Sequence, residues 1–104
     1  MTTQMIHSLP RATLPENGVV TFEVAGDRYL VADLEGDVRA FRVVGPAAAE
    51  IARATVADGR VRCPLHGWSI DPDDGRCGAA DACRYRPLPV ELGGDDIRVS
   101  LLTS

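Results

Sequence analysis

Between Gly18 and Val44 apolar residues alternate with polar ones in short runs, and each run is closed by a Gly/Asp turn. No other feature limits the fold as strongly. Val20, Phe22 and Val24 alternate with Thr21 and Glu23, the period of a half-buried strand. Ala25-Gly26-Asp27 reads as a turn, Arg28 to Leu34 as the next strand, Glu35-Gly36-Asp37 as a turn, and Val38 to Val44 as a third strand. Short strands joined this way predict an antiparallel sandwich or barrel. Near the other end, Leu88 to Leu92, a Gly93-Gly94-Asp95-Asp96 turn and Ile97 to Leu101 predict a closing hairpin. Between these blocks, Gly45-Pro46 stops the third strand. Ala47 to Ala54 is the one good helix-forming stretch, too short to hold without packing. Asp58-Gly59 turns into Arg60-Val61-Arg62, Ser69 to Asp71 is strand-like, and Pro72-Asp73-Asp74-Gly75 is a turn. Residues 1–17, with Pro10 and Pro15 and weak periodicity, read as an irregular lead-in to a domain over 18–104.

The length of 104 residues fits one domain, and 45% apolar with 25% charged residues excludes disorder across the chain. A net charge of −4 provides no basic field for nucleic acid or anionic lipid. It would suit a basic partner protein. No apolar run has the length of a membrane span, and Met1 to His7 has neither the basic nor the apolar region of a signal peptide. The expected compartment is the cytoplasm. Three cysteines, an odd number, argue against a disulfide framework.

Chemistry concentrates at Cys63-Pro64-Leu65-His66-Gly67-Trp68. A thiolate and an imidazole in Cys-x2-His spacing can both reach one metal site from a tight loop, with Gly67 permitting the turn and Pro64 stiffening it. Two ligands alone do not fill such a site. The stretch from Val56 to Asp71 resembles the second cluster-binding loop of Rieske ferredoxins and Rieske oxygenases. The resemblance continues through Asp74-Gly75-Arg76-Cys77 and Arg84-Tyr85-Arg86-Pro87-Leu88-Pro89-Val90, and ends in the hairpin that follows. Leu65 stands where respiratory members carry an extra disulfide cysteine, so the ferredoxin and oxygenase branch is the nearer likeness.

The resemblance implies an all-β, Rieske-like antiparallel sandwich or barrel with a small cluster-loop subdomain. It also implies a [2Fe–2S] cluster with two cysteines on one iron and two histidines on the other. Cys63 and His66 match the second ligand pair. The first pair, Cys-x-His, falls at about Val44 and Pro46, neither of which can ligate iron through its side chain. No Cys or His lies between His7 and Cys63 to replace them. The expectation is a degenerate site that holds no stable cluster, in an accessory or interaction subunit of an oxygenase or reductase system rather than an enzyme.

Two other readings stay open. One is an electron-transfer ferredoxin with an unusual or incomplete [2Fe–2S] site, in which Cys77 or Cys83 could take part. The other is a zinc-stabilised module using Cys63, His66, Cys77 and Cys83, a Cys3His set on paper, although Cys77 and Cys83 read equally as ordinary strand or core residues. His7 reads as a surface histidine, Trp68 as packing beneath the loop, and Phe41 and Tyr85 as core or half-buried strand residues. Asp71 to Asp74 and Asp95-Asp96 read as turn chemistry. No catalytic triad, phosphate loop or HExxH is present. Cys63 with His66 could form a nucleophilic pair, but no third residue that would orient it is in view.

Overall fold

A computed structural model describes residues 3–44, 53–62, 69–73 and 84–103. Ten strands follow one another among them: β1 (Thr3–Pro10), β2 (Val19–Val24), β3 (Asp27–Leu34), β4 (Asp37–Val44), β5 (Thr55–Ala57), β6 (Arg60–Arg62), β7 (Ser69–Ile70), β8 (Arg84–Leu88), β9 (Val90–Gly93) and β10 (Asp96–Thr103). All pairings are antiparallel, in three sheets ordered β2-β3-β4-β8, β1-β10-β9 and β5-β6-β7. Among the described residues the fold is all-β and antiparallel, as the alternation and the Gly/Asp turns predict.

The four-stranded sheet lies in the middle, and its sequence shows why. Every residue of β3 from Tyr29 to Leu34 is buried, as in a strand covered on both faces. Leu30, Ala32 and Leu34 point to one side, where they pack with Phe41, Val43, Tyr85, Ala54, Val61 and Ile70. Tyr29 and Val31 point to the other, where they pack with Val38, Ala40, Leu9, Ile97, Val99 and Leu101. The three-stranded sheet of β1, β10 and β9 thus covers one face, and the small sheet of β5, β6 and β7 covers the other. Each fully buried large apolar side chain contributes about 1.5–3 kcal/mol, so both coverings stabilise the central sheet.

Two-residue turns set the registers. Glu35 and Gly36, between β3 and β4, have φ of 55° and 94°, and Asp58 and Gly59, between β5 and β6, have 55° and 71°. Positive φ at both central positions is the hairpin turn whose twist matches the strands, and a glycine second makes it accessible. The Asp33 carboxylate accepts the Gly36 N–H at 2.7 Å and reinforces the first turn.

The irregular lead-in expected over residues 1–17 is not what forms. Thr3 to Pro10 is a full strand, paired from Thr3 opposite Thr103 to Pro10 opposite Asp96. Its partner lies at the far end of the sequence, and pairing there satisfies the backbone and buries Leu9. Pro10 and Pro15 sit at and beyond the strand's end, where a three-residue 3-10 turn, Arg11–Thr13, follows. The strand-like Ser69 to Asp71 stops at Ile70. The helix expected over Ala47 to Ala54 lies outside the described residues except at its last two positions, of which Ala54 is buried against the central sheet.

Candidate functional site

Two connections matter for the ligand positions, and the described strands fix where each departs. The β5–β6 turn sits beside the β3–β4 turn: a Cβ on Gly59 would lie 3.5 Å from the Glu35 carboxylate. From there β6 runs away, and β7 runs back to the same end. Here the Arg39 guanidinium donates to the Pro72 carbonyl at 3.4 Å and the Asp73 carboxylate at 3.5 Å. Arg62 and Ser69 are partners in the β6–β7 register. The six residues from Cys63 to Trp68 therefore connect two strand ends held together at the end of the sheet remote from Glu35. Val61 and Ile70, also register partners, anchor the hairpin in the core at 1% exposure each.

Val44 stands at that same remote end. Its backbone is the last of β4 and pairs with Arg84 of β8, so the chain is still in the ladder at about the position that the family resemblance implies for the first cysteine. Valine offers no ligand there. Pro46, Cys63, His66, Cys77, Cys83 and Trp68 lie outside the described residues. Among the described residues no group of three or more His, Cys, Asp or Glu side chains could hold a metal ion.

His7 has a different role from the surface histidine expected. It is half-buried on β1, and its ring stacks on Phe22 with centroids 4.0 Å apart and planes at 12°. Phe22 in turn stacks on Tyr29 at 5.1 Å. These rings belong to the core on the β1-β10-β9 side of the central sheet, whereas β6 and β7 pack on the opposite side. His7 and His66 are the chain's two histidines, so the core stack takes away the one imidazole that could have joined His66. The spacing of His7 and Leu9 along β1 is the sequence signal for this inward face, although Met5, in the same alternation, is 44% exposed. Ile6 obscures it, being apolar and 60% exposed.

Phe41 and Tyr85 are core residues, meeting edge to face at 6.2 Å beneath the small sheet. On the other face the Arg42 guanidinium donates to the Asp27 carboxylate at 3.1 Å. Arg42 is the register partner of Tyr29 on one side and Arg86 on the other. Burial pushes the Tyr29 phenol above its ordinary value; the Asp27 charge adds to this and Arg42 opposes it. The Tyr29 hydroxyl and Arg42 Nε are both sealed from solvent without a hydrogen-bond partner.

The chemistry of the donor set bears on a standard two-Cys, two-His cluster. The second loop carries one thiol and one imidazole in its sequence. Val44 and Pro46 carry neither, and His7 is engaged on the far side of the central sheet. The residues present do not fit the first half of that site.

Comparison with known proteins agrees with the architecture. The family model of the Rieske [2Fe-2S] domain matches residues 4–97. No curated protein matches the sequence. Among solved structures, the chain is similar to a protein of Mycobacterium tuberculosis described as an NADH-dependent nitrite reductase small subunit. The TM-score is 0.76 at 22% identity, covering 98% of this chain and 99% of that one. A second, described as the small subunit of a nitrite reductase NADPH, gives 0.71 at 19% identity over 93% and 97% of the two chains. The ferredoxin of carbazole 1,9a-dioxygenase from Nocardioides aromaticivorans IC177 gives 0.67 at 22% identity over 88% and 91%. At these identities the likeness is one of fold.

Proposed function

Because the chain belongs to the Rieske [2Fe–2S] domain family, we propose that it is a degenerate member which holds no standard cluster and serves as an accessory or interaction subunit of an oxygenase or reductase system. The observation that carries this reading is the fate of the second imidazole. One of the chain's two histidines is stacked in the core, and the position matched to the first cysteine is a valine whose backbone stays in the β4–β8 ladder. With only Cys63 and His66, each iron would keep one protein ligand of the two the family supplies. In this reading the chain is not itself an enzyme, and it acts in the cytoplasm beside a larger protein partner. Two of the three similar structures described above are themselves described as small subunits of nitrite reductases. That supports, by likeness of fold alone, a role as one component among several.

The sequence of the second loop favours one other reading. Cys63 and His66 still stand in full family context, as in the electron-transfer members, and Cys77 or Cys83 could complete an unusual [2Fe–2S] or zinc site. Iron, zinc and acid-labile sulfide analysis of anaerobically purified protein, with its visible spectrum, separates the readings. The expected result is folded, colourless protein without stoichiometric metal. Iron and sulfide in equal amounts with a reducible chromophore would overturn the cluster-free reading, and stoichiometric zinc alone would identify a structural site.

A further inference from the structure

Arg42 and Arg86 face each other across the β4–β8 pair. Like charges directly opposite in a ladder destabilise it. Several described arginines meet carboxylates: Arg28 meets Glu23 at 3.2 Å, Arg39 meets Asp37 at 2.9 Å, and Arg98 meets Glu91 at 3.6 Å. Here the compensation is half made. Asp27 answers Arg42 through one nitrogen at 3.1 Å, and Arg42 Nε has no partner. Arg86 is exposed on the outermost strand of the sheet and makes no ion pair among the described residues. Two positions along β8, Arg84 occupies the register position opposite Val44. This arginine-bearing strand end therefore lies at the end of the sheet from which the second loop departs. The acidic turns at Glu35, Asp37 and Asp73 lie at the other end.

We propose that the Arg42–Arg86 pair is a docking point for an acidic, carboxylate-bearing segment of a partner protein, bound beside the degenerate end of the fold. The proposal deepens the accessory-subunit reading and rests on it for the existence of a partner. Two guanidinium groups on adjacent strands offer paired N–H donors to a carboxylate, and an acceptor placed between them relieves the repulsion the fold leaves standing. Pro87, between Arg86 and Leu88, removes a backbone donor from β8, so recognition runs through side chains rather than by adding a strand.

The test is a titration of 15N-labelled protein with hexaglutamate, reading the arginine Nε–H resonances. Arg42 and Arg86 should shift together and saturably, and the shifts should disappear at about 1 M salt, where charges are screened within ~3 Å. Arg86→Gln, at an exposed position that leaves the core intact, should weaken binding about fivefold or more through loss of a charge-assisted contact. Equal shifts at Arg28 and Arg98, unchanged affinity in Arg86→Gln, or equal shifts with inorganic phosphate would each overturn the proposal. So would concentration-dependent shifts without peptide, which would make a second copy the occupant. The visible spectrum of the same sample reports on the cluster independently, so failure of the docking proposal and failure of the cluster-free reading are separately visible.

Discussion

The two faces of the central sheet are equally dry but very differently built. On one, β1 and β10 run eight residues each and pair along their whole length. On the other, β5, β6 and β7 contribute three, three and two residues. Ile97 under the long strands and Ile70 under the short ones are both buried, at 0% and 1% exposure. What differs is the backbone behind each side chain. The long sheet holds itself together by an extended ladder, whereas the short one relies on the few apolar residues that fasten it to the central sheet. In a family whose chemistry is carried on loops, the connection through Cys63 and His66 departs from the weaker partner. The extended ladder and the strands from which that connection departs therefore lie on opposite faces of the central sheet.

Substituting the two isoleucines tests that division most directly. Ile97→Ala and Ile70→Ala should each cost about 2–5 kcal/mol at the site of the cavity. Ile97→Ala should lower global stability by that amount in urea unfolding followed by circular dichroism. Ile70→Ala should instead expose β5, β6 and β7 to hydrogen exchange while β1 and β10 keep their protection. Equal loss of protection in β1 and β10 from both variants would mean that the two faces open as one unit.

A smaller effect is expected at Tyr29, on the long-sheet side. Its hydroxyl is buried without a partner, so Tyr29→Phe should leave stability unchanged at pH 7 or raise it by up to about 1 kcal/mol. The phenol is pushed up in the folded state. The folded protein therefore holds its proton more tightly than the unfolded chain, and the associated stability is intact below the ordinary phenol value and lost as pH rises through the folded one. Wild-type protein should lose stability above about pH 10 more steeply than Tyr29→Phe. Parallel curves would show that the hydroxyl finds a partner in solution.

The smallest effect belongs to the rim. Arg28 and Glu23 meet at 3.2 Å with side chains 46% and 53% exposed, and Arg28→Ala should change thermal stability by no more than about 0.5 kcal/mol. A larger loss would mean that the β2–β3 hairpin depends on its surface charges.

Much of the long-range design could be read directly from the chain. Alternation located β2, β3 and β4, and the Gly/Asp turns located their ends, because register in a buried sheet is a period-two signal. The closing hairpin was legible for the same reason. β1 was not, because its alternation is broken by Ile6 and its partner lies at the opposite end of the sequence, where no local rule reaches. The same break in the pattern hides the role of His7, a ring whose stacking partner Phe22 belongs to another sheet. At the candidate site the family resemblance matches the first ligand pair to about Val44 and Pro46, and that neither side chain can bind iron is chemistry, not conformation. What the sequence could not supply was the commitment of His7 elsewhere, which requires the third dimension.

The pairing of Thr3 with Thr103 also has a consequence for the order in which the protein is made. Among the described strands β1 is made first and β10 last. Until β10 is made, Leu9 and the edge of β1 have no ladder to join, and the long-sheet face of the core stays open. This contact joins strands far apart in sequence and closes late, which slows folding and lengthens the interval in which an uncharged strand can find the wrong neighbour. A permuted chain with β1 fused behind β10 would turn that last contact into a local one.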